Sequence, residues 1–414
     1  MKICGIIAEY NPFHNGHNYH IEEAKRLTGA DYCIIVMSGN FVQRGSPAIL
    51  DKYARTEMVL NCGADLVLEL PSYYSTGSAE YFAKGAVSLL HKLGCITHLC
   101  FGSECGDIEI LTKIADILAN EPPEYQAMLR HNLKLGKSYP IARSQALLHL
   151  YPELTESMDV LSSPNNILGI EYIKALLQQN SCIIPVTTAR KGSAYHEHRF
   201  TTSAVHASAT ALRVALGEGR PLSALADQIP PKAYEVFRNT LEQTPPMWKD
   251  DLSSQLRYKL LSERNKGYEE YMDVSPDLSD RIKKKLPEFT TFTEFSDLLK
   301  TKEITYTRVC RSLLHILLNM KKQDMSFYKD TLDLIPYARI LGFKKDSKDL
   351  LTQMHRTTSI PMVSKLADAE SNLSEDAYNM LIRDIEINSI YYGVVADKTG
   401  QPIKNEYTTP IVIV

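Results

Sequence analysis

The sequence predicts an α/β fold: a doubly wound parallel sheet with a helical insertion and a mainly α-helical C-terminal domain. Three observations carry that expectation. Short, wholly apolar runs alternate with amphipathic helical patterns through residues 1–101, the pattern turns helical over residues 108–179, and it stays helical beyond residue 220. Apolar runs of this kind suit strands buried on both faces. Their alternation with helices implies right-handed crossovers over a parallel sheet.

Residues 2–8 (KICGIIA) are a β-branched apolar run, followed by a polar turn and a helical pattern over 16–27. Residues 32–37 (YCIIVM) give a second strand, 50–60 an amphipathic helix, 65–70 (DLVLEL) a third strand and 79–93 another helix. A short fourth strand, 98–101, ends at Gly102. Helical patterns broken at Pro122-Pro123, Gly136, Pro152 and Pro164 then precede a fifth strand at 182–187 (CIIPVT). The expected division is a first domain over 1–219, with the insertion at about 108–180, and a second over 220–414. The second carries helical patterns at 233–241, 250–261, 303–320 and 346–354, and closes with a small strand pair, 391–395 and 411–414, around Gly400.

The composition is that of a folded globular chain. Its 414 residues exceed one ordinary domain, and 44% hydrophobic with 23% charged content leaves ample core. A net charge of −3 hides 46 Lys and Arg residues, so a nucleic-acid surface would require local clustering. None of the eight cysteines forms a C-x-x-C pair, which reads as reduced, buried packing residues. No leader pattern and no run of roughly 18 apolar residues is present. A cytoplasmic protein without membrane association is therefore expected.

The chemistry centres on Glu9-Tyr10-Asn11-Pro12-Phe13-His14-Asn15-Gly16-His17, which follows the first strand and opens a helix. Ligands of open α/β sheets bind outside the carboxyl ends of the strands, where helix N-termini offer unpaired N–H groups and positive dipole ends to phosphates. His14 and His17, three residues apart, share one face of the first turn and can donate to phosphate oxygens as charge builds. Gly16 lets the backbone come close to a nucleotide. A Walker A loop is absent: Gly136-Lys137-Ser138 resembles its tail, but His131 stands where the first glycine is needed. No metal site is expected.

The H-x-G-H loop and, far downstream, Ala207-Ser208-Ala209-Thr210-Ala211-Leu212-Arg213 together resemble the paired signatures of the HIGH-motif nucleotidyltransferases, whose fold is Rossmann-like. More narrowly, the Glu9–His17 loop, the segment 38–45 (SGNFVQRG), Phe101-Gly102-Ser103-Glu104, Ser163-Pro164-Asn165-Asn166 and Arg190-Lys191-Gly192-Ser193 look like the bacterial tRNA(Met) cytidine acetate ligases. That resemblance implies two steps. Acetate attacks the α-phosphorus of ATP to form acetyl-adenylate, and the N4 amine of the wobble cytidine of elongator tRNA(Met) takes the acetyl group. ATP, with Mg2+ carried on it, acetate and this tRNA are the implied ligands.

His14 and His17 are the expected catalytic pair. The expected ATP site comprises Ile7, Ala8, Glu9, Tyr10, Asn11, Pro12, Phe13, Asn15, Gly16 and His20 around the loop, then Gly102, Asn165, Asn166, Arg190, Lys191, Ser208, Thr210 and Arg213. Ala209 departs from the usual hydroxyl or glycine of the second signature, and no KMSKS-like loop exists, so Ser208 and Thr210 rest on less than the histidines. The segments 38–45 and 51–55 lie at the same sheet edge; they read equally as an acetate or cytosine pocket and as structural loops. Basic clusters at Lys283, Lys284, Lys285, Arg308, Arg311, Lys344 and Lys345, among scattered aromatics, are the candidate tRNA surface, though such runs are usually solvated faces. Two other readings remain open from the residues: adenylyl or cytidylyl transfer to a small phosphorylated metabolite, and ATP binding without turnover in an RNA-binding factor.

Overall fold

The computed structural model describes residues 1–137, 139–152, 158–189 and 207–414. Its strands are β1 (Ile3–Ala8), β2 (Tyr32–Ser38), β3 (Phe41–Val42), β4 (Ser46–Pro47), β5 (Leu66–Leu70), β6 (His98–Ser103), β7 (Ile184–Ala189), β8 (Ala338–Phe343), β9 (Met362–Val363) and β10 (Val412–Ile413). The main sheet runs in the order β10-β8-β5-β2-β1-β6-β7, with β9 beside β8, while β3 and β4 form a separate small hairpin. β5, β2, β1, β6 and β7 are mutually parallel, so their carboxyl ends share one edge.

The central strands are covered on both faces. Ile34 and Val36 of β2 enter one apolar cluster, and Ile35 and Met37 enter the other, as the two-residue period of a strand dictates. The helices Asn15–Thr28, Lys52–Leu60, Ala209–Gly217 and Pro231–Gln243 supply the second cluster through Ile21, Met58, Leu212 and Phe237. The helices Ala79–Lys92, Ile108–Asn120 and Pro164–Gln178 pack against the first, which continues into the C-terminal helices.

The C-terminal half differs from expectation. Residues 391–395 are not a strand but the last turns of the helix Glu375–Thr399, which is capped by the Ser374 hydroxyl and closed by Gly400 at φ +68°. Met380, Leu381, Asp384, Ile387, Asn388 and Tyr391 fall on its buried stripe, a 3.6-residue period that overrides the local β-branched and aromatic content. β8, in a segment read as helical, inserts antiparallel beside β5, and β10 pairs with β8. Residues 220–414 therefore share both apolar clusters with residues 1–219, and packing continues across the boundary expected at 219/220. Cys182 is exposed, unlike the buried residue anticipated. Among the described residues no helix is long and apolar enough to cross a membrane.

Candidate active site

The loop between β1 and its helix is shaped from below. Tyr10 adopts φ +50° and the Asn11-Pro12 bond is cis. Tyr10 and Phe13 are buried in the cluster beneath the helix, their rings packed edge-on 5.0 Å apart. The Asn11 carboxamide oxygen accepts from the Ile49 amide at 2.9 Å. Ile7 and Ala8 end β1, half-buried at the carboxyl edge.

His14 is the N-cap of the helix Asn15–Thr28, and its Nδ1 accepts from the Gly16 amide at 3.0 Å. With Nδ1 accepting, a neutral imidazole carries its proton on Nε2, which makes Nε2 a donor. The His17 ring stacks on that of His14, and His20 continues along the same helical face. Tyr10 packs edge-on against His17 at 4.9 Å, which fixes the pair from behind. The helix has no acidic residue in its first turn, so its positive end is left uncompensated there. The Asn15 carboxamide donates to the Asp227 carbonyl at 2.8 Å and ties the helix start to the chain beyond the second signature.

That second signature meets the histidine loop directly. Ser208 caps the helix Ala209–Gly217, accepting from the Ala211 amide at 3.1 Å. The Arg213 guanidinium donates to the Asn11 carbonyl and, at 3.1 Å, to the Thr210 hydroxyl. Two helix N-termini thus stand beside the same loop.

A third helix N-terminus lies beyond β6. The Glu104 carboxylate accepts from the amides of Asn165 and Asn166 at 3.2 and 2.8 Å and from the Asn165 carboxamide at 2.6 Å. In return, the buried Asn166 oxygen accepts from the amides of Glu104 and Cys105 at 2.9 and 3.2 Å. Asn165 and Asn166 thus serve first to lock β6 to the helix Pro164–Gln178. Gly102 does not end β6: it pairs with Thr188 and the strand continues through Ser103. Arg190 and Lys191 lie outside the described residues.

Within the segments 38–45 and 51–55, burial decides the case of two residues. Lys52 and Arg55 are wholly buried, which excludes both as pocket walls. The Lys52 ammonium sits between Glu69 and Glu406, 2.8 Å from each, and Arg339 lies 3.0 Å from Glu69. The Glu9 carboxylate accepts from the Gln43 amide at 3.0 Å, joining the histidine loop to the β3–β4 hairpin. The particular contacts of Glu104, Gln43 and Asp227 are not read from the sequence, because they cross between elements and leave no periodic signal. Among the described residues no group of three or more His, Cys, Asp or Glu is arranged to hold a metal ion.

The basic clusters scatter. Lys283 and Lys285 form short helical pairs with Asp280 and Glu288, each at 2.8 Å, and Lys284 is exposed. Arg308 is half-buried, and Arg311 is committed to Asp273 at 2.8 Å. Lys344 and Lys345 follow β8, whose antiparallel run returns it to Leu66 at the start of β5. Both therefore lie at the amino edge of the parallel strands, away from His14.

The sequence and the fold agree with known proteins. A family model described as HIGH Nucleotidyl Transferase matches residues 1–406. The tRNA(Met) cytidine acetate ligase of Clostridium novyi is 40% identical over 395 residues, 94% of this chain and 98% of the relative. That of Acetivibrio thermocellus is 39% identical over 422 residues, covering 100% of both. The crystal structure of Thermotoga maritima TmcAL bound with alpha-thio ATP superposes with a TM-score of 0.91 at 31% identity, and its apo form with 0.93, each covering 100% of both chains. The chain belongs to the HIGH nucleotidyltransferase family, among the relatives that carry the name tRNA(Met) cytidine acetate ligase.

Proposed function

We propose that this chain is an ATP-dependent tRNA(Met) cytidine acetate ligase that activates acetate as acetyl-adenylate and transfers the acetyl group to N4 of the wobble cytidine of elongator tRNA(Met). The observation that carries the reading is the stacked His14–His17 pair at a helix N-terminus after β1, with Arg213 bonded into the same loop. Acetate attack on the α-phosphorus gathers negative charge on the phosphate oxygens as pyrophosphate leaves. Imidazole donors and helix N-termini, fixed beforehand, stabilise that charge without a covalent enzyme intermediate. The relatives' shared name and the nucleotide analogue bound to the Thermotoga maritima protein support ATP and tRNA as ligands. Mg2+ arrives on the ATP phosphates in this reading.

The second step needs a docked anticodon loop. Lys283, Lys284, Lys285 and Arg308 belong to the helical region that packs on the carboxyl edge, where an added Gly45 Cβ would lie 2.4 Å from the Arg311 amide. They form the proposed tRNA surface, whereas Arg311, Lys344 and Lys345 are left out of it by their contacts and position.

The test is pyrophosphate exchange into ATP, measured with and without acetate. Acetate-dependent exchange is expected. Exchange that ignores acetate and needs a small phosphorylated acceptor would overturn the reading in favour of metabolite adenylyl transfer.

A further inference from the structure

Arg55, on the helix Lys52–Leu60, is the bulkiest wholly buried side chain described. Its guanidinium donates to four main-chain carbonyls: Nε to Leu50 at 3.1 Å, Nη1 to Glu9 at 2.7 Å and Ser38 at 3.0 Å, and Nη2 to Gly39. Among the described residues it forms no ion pair, and burial pulls it below its ordinary range. Asp51, Glu9 and Glu69 act on it only from a distance, and a cation taken out of water without a carboxylate in contact is costly, so its use here calls for a reason.

Joining β1 to β2 is not that reason, because the strands already pair from Ile3 with Tyr32 to Ala8 with Met37. Three of the four acceptors, Glu9, Ser38 and Gly39, lie just past the residues paired between β1 and β2. Glu9 is the last residue before the loop Tyr10–His17, and Ser38 and Gly39 lead into the β3–β4 hairpin. A planar fork with five donors can span such divergent acceptors, whereas an ammonium cannot. The Glu9 carboxylate, bonded to the Gln43 amide, then repeats the connection from loop to hairpin.

We propose that Arg55 is a positioning residue for adenylate formation: it sets the angle at which the histidine loop leaves β1 relative to the hairpin, without touching the nucleotide. This rests on the function proposed above. A purely structural arginine would change the fraction folded and leave the rate per folded molecule intact. A positioning arginine leaves ATP affinity nearly intact and slows the step that needs the histidines in line.

The test uses the full-length Arg55→Lys and Arg55→Ala variants, with folding followed by circular dichroism, ATP affinity by calorimetry, and acetate-dependent exchange per folded molecule. Arg55→Lys is expected to fold, to bind ATP within about threefold of the parent, and to exchange about tenfold or more slowly. Millimolar guanidinium is expected to restore part of the exchange of Arg55→Ala, and sodium at the same ionic strength to restore none. If Arg55→Ala does not fold, Arg55→Lys alone decides. An Arg55→Lys variant that exchanges at the parental rate, or that also fails to fold, overturns the positioning role. A parent that binds ATP without acetate-dependent exchange overturns the acetate reading, and with it the step assigned to Arg55.

Discussion

The imidazoles of His14 and His17 stack with centroids 3.8 Å apart and planes at 29°, so the two rings form one face at the mouth of their helix. His14 also holds the helix start, through Nδ1 and the Gly16 amide. The two residues should therefore separate catalysis from stability.

His17→Ala is expected to keep the helix cap and to lose exchange by about a hundredfold or more, the usual loss when one transition-state donor is removed. His14→Ala should lose comparable activity and, in addition, about 1 kcal/mol of stability with its cap. His14→Asn, which restores a capping oxygen but no imidazole, should recover the stability and not the exchange. Thermal melts beside exchange rates check all three, and active His17→Ala would remove the pair from the mechanism.

Arg213 joins the second signature to the Asn11 carbonyl. Arg213→Lys keeps the charge but cannot also reach Thr210, so exchange should fall about tenfold, with faster amide hydrogen exchange across residues 10–17. Unchanged protection in that loop would mean that Arg213 does not hold it.

Charge reversal at Lys283, Lys284 and Lys285 together should spare pyrophosphate exchange and lower acetyl transfer to tRNA, with a weaker salt dependence of RNA binding. Arg311→Ala should behave differently. It strands the partly buried Asp273 and should cost about 2 kcal/mol in denaturant unfolding, whatever the substrate. Intact tRNA acetylation in the triple reversal would relocate the RNA surface.

Two buried groups should tilt stability with pH in opposite directions. Burial holds the His315 imidazole below its ordinary range, between the carbonyls of Thr76 and Met272 and with Asp273 3.8 Å away. As pH falls below about 6.5 the unfolded chain takes up a proton that the folded chain refuses, so stability is lost on the acid side. Burial, aided by Glu69, raises Asp384 from 3.8 to about 7. Between those values the folded state keeps a proton that the unfolded state has released, so stability falls as pH rises through that window. Asp384→Asn keeps an acceptor for the Ser72 amide and should raise the melting temperature more at about pH 8 than at pH 5; His315→Gln should flatten the acid limb. Melting curves across pH decide both.

Much of this was legible in the sequence where signals were local. The parallel strands declared themselves as unbroken apolar runs because both faces are buried, and the histidine loop was read from its place after β1. Residues 391–395 misled because a short run of aromatic and β-branched residues, Tyr391, Tyr392, Val394 and Val395, looks alike in a strand and in a buried helix; the longer stripe from Met380 to Tyr391 distinguishes them. β8 escaped notice because no βαβ pattern surrounds an antiparallel strand arriving from a distant segment. Arg55, in segment 51–55, reads equally as a pocket residue and as part of a structural loop, since only the three-dimensional convergence of Glu9, Ser38 and Gly39 makes its interior position tenable. The mutual capping of Glu104 and Asn166 likewise unites residues 62 positions apart.

The antiparallel placement of β8 has a consequence for synthesis. The edge of β5 stays without its neighbour until Ala338–Phe343 has left the ribosome, and β8 in turn waits for Val412–Ile413, about seventy residues further on. Arg339 reaches Glu69 with β8, and Glu406, 67 residues further along, reaches Lys52 later still. A nascent chain can thus hold an assembled histidine loop while its sheet still offers an open, apolar edge to other chains. Arrival of β8, more than formation of the histidine loop, is what covers that edge of the sheet.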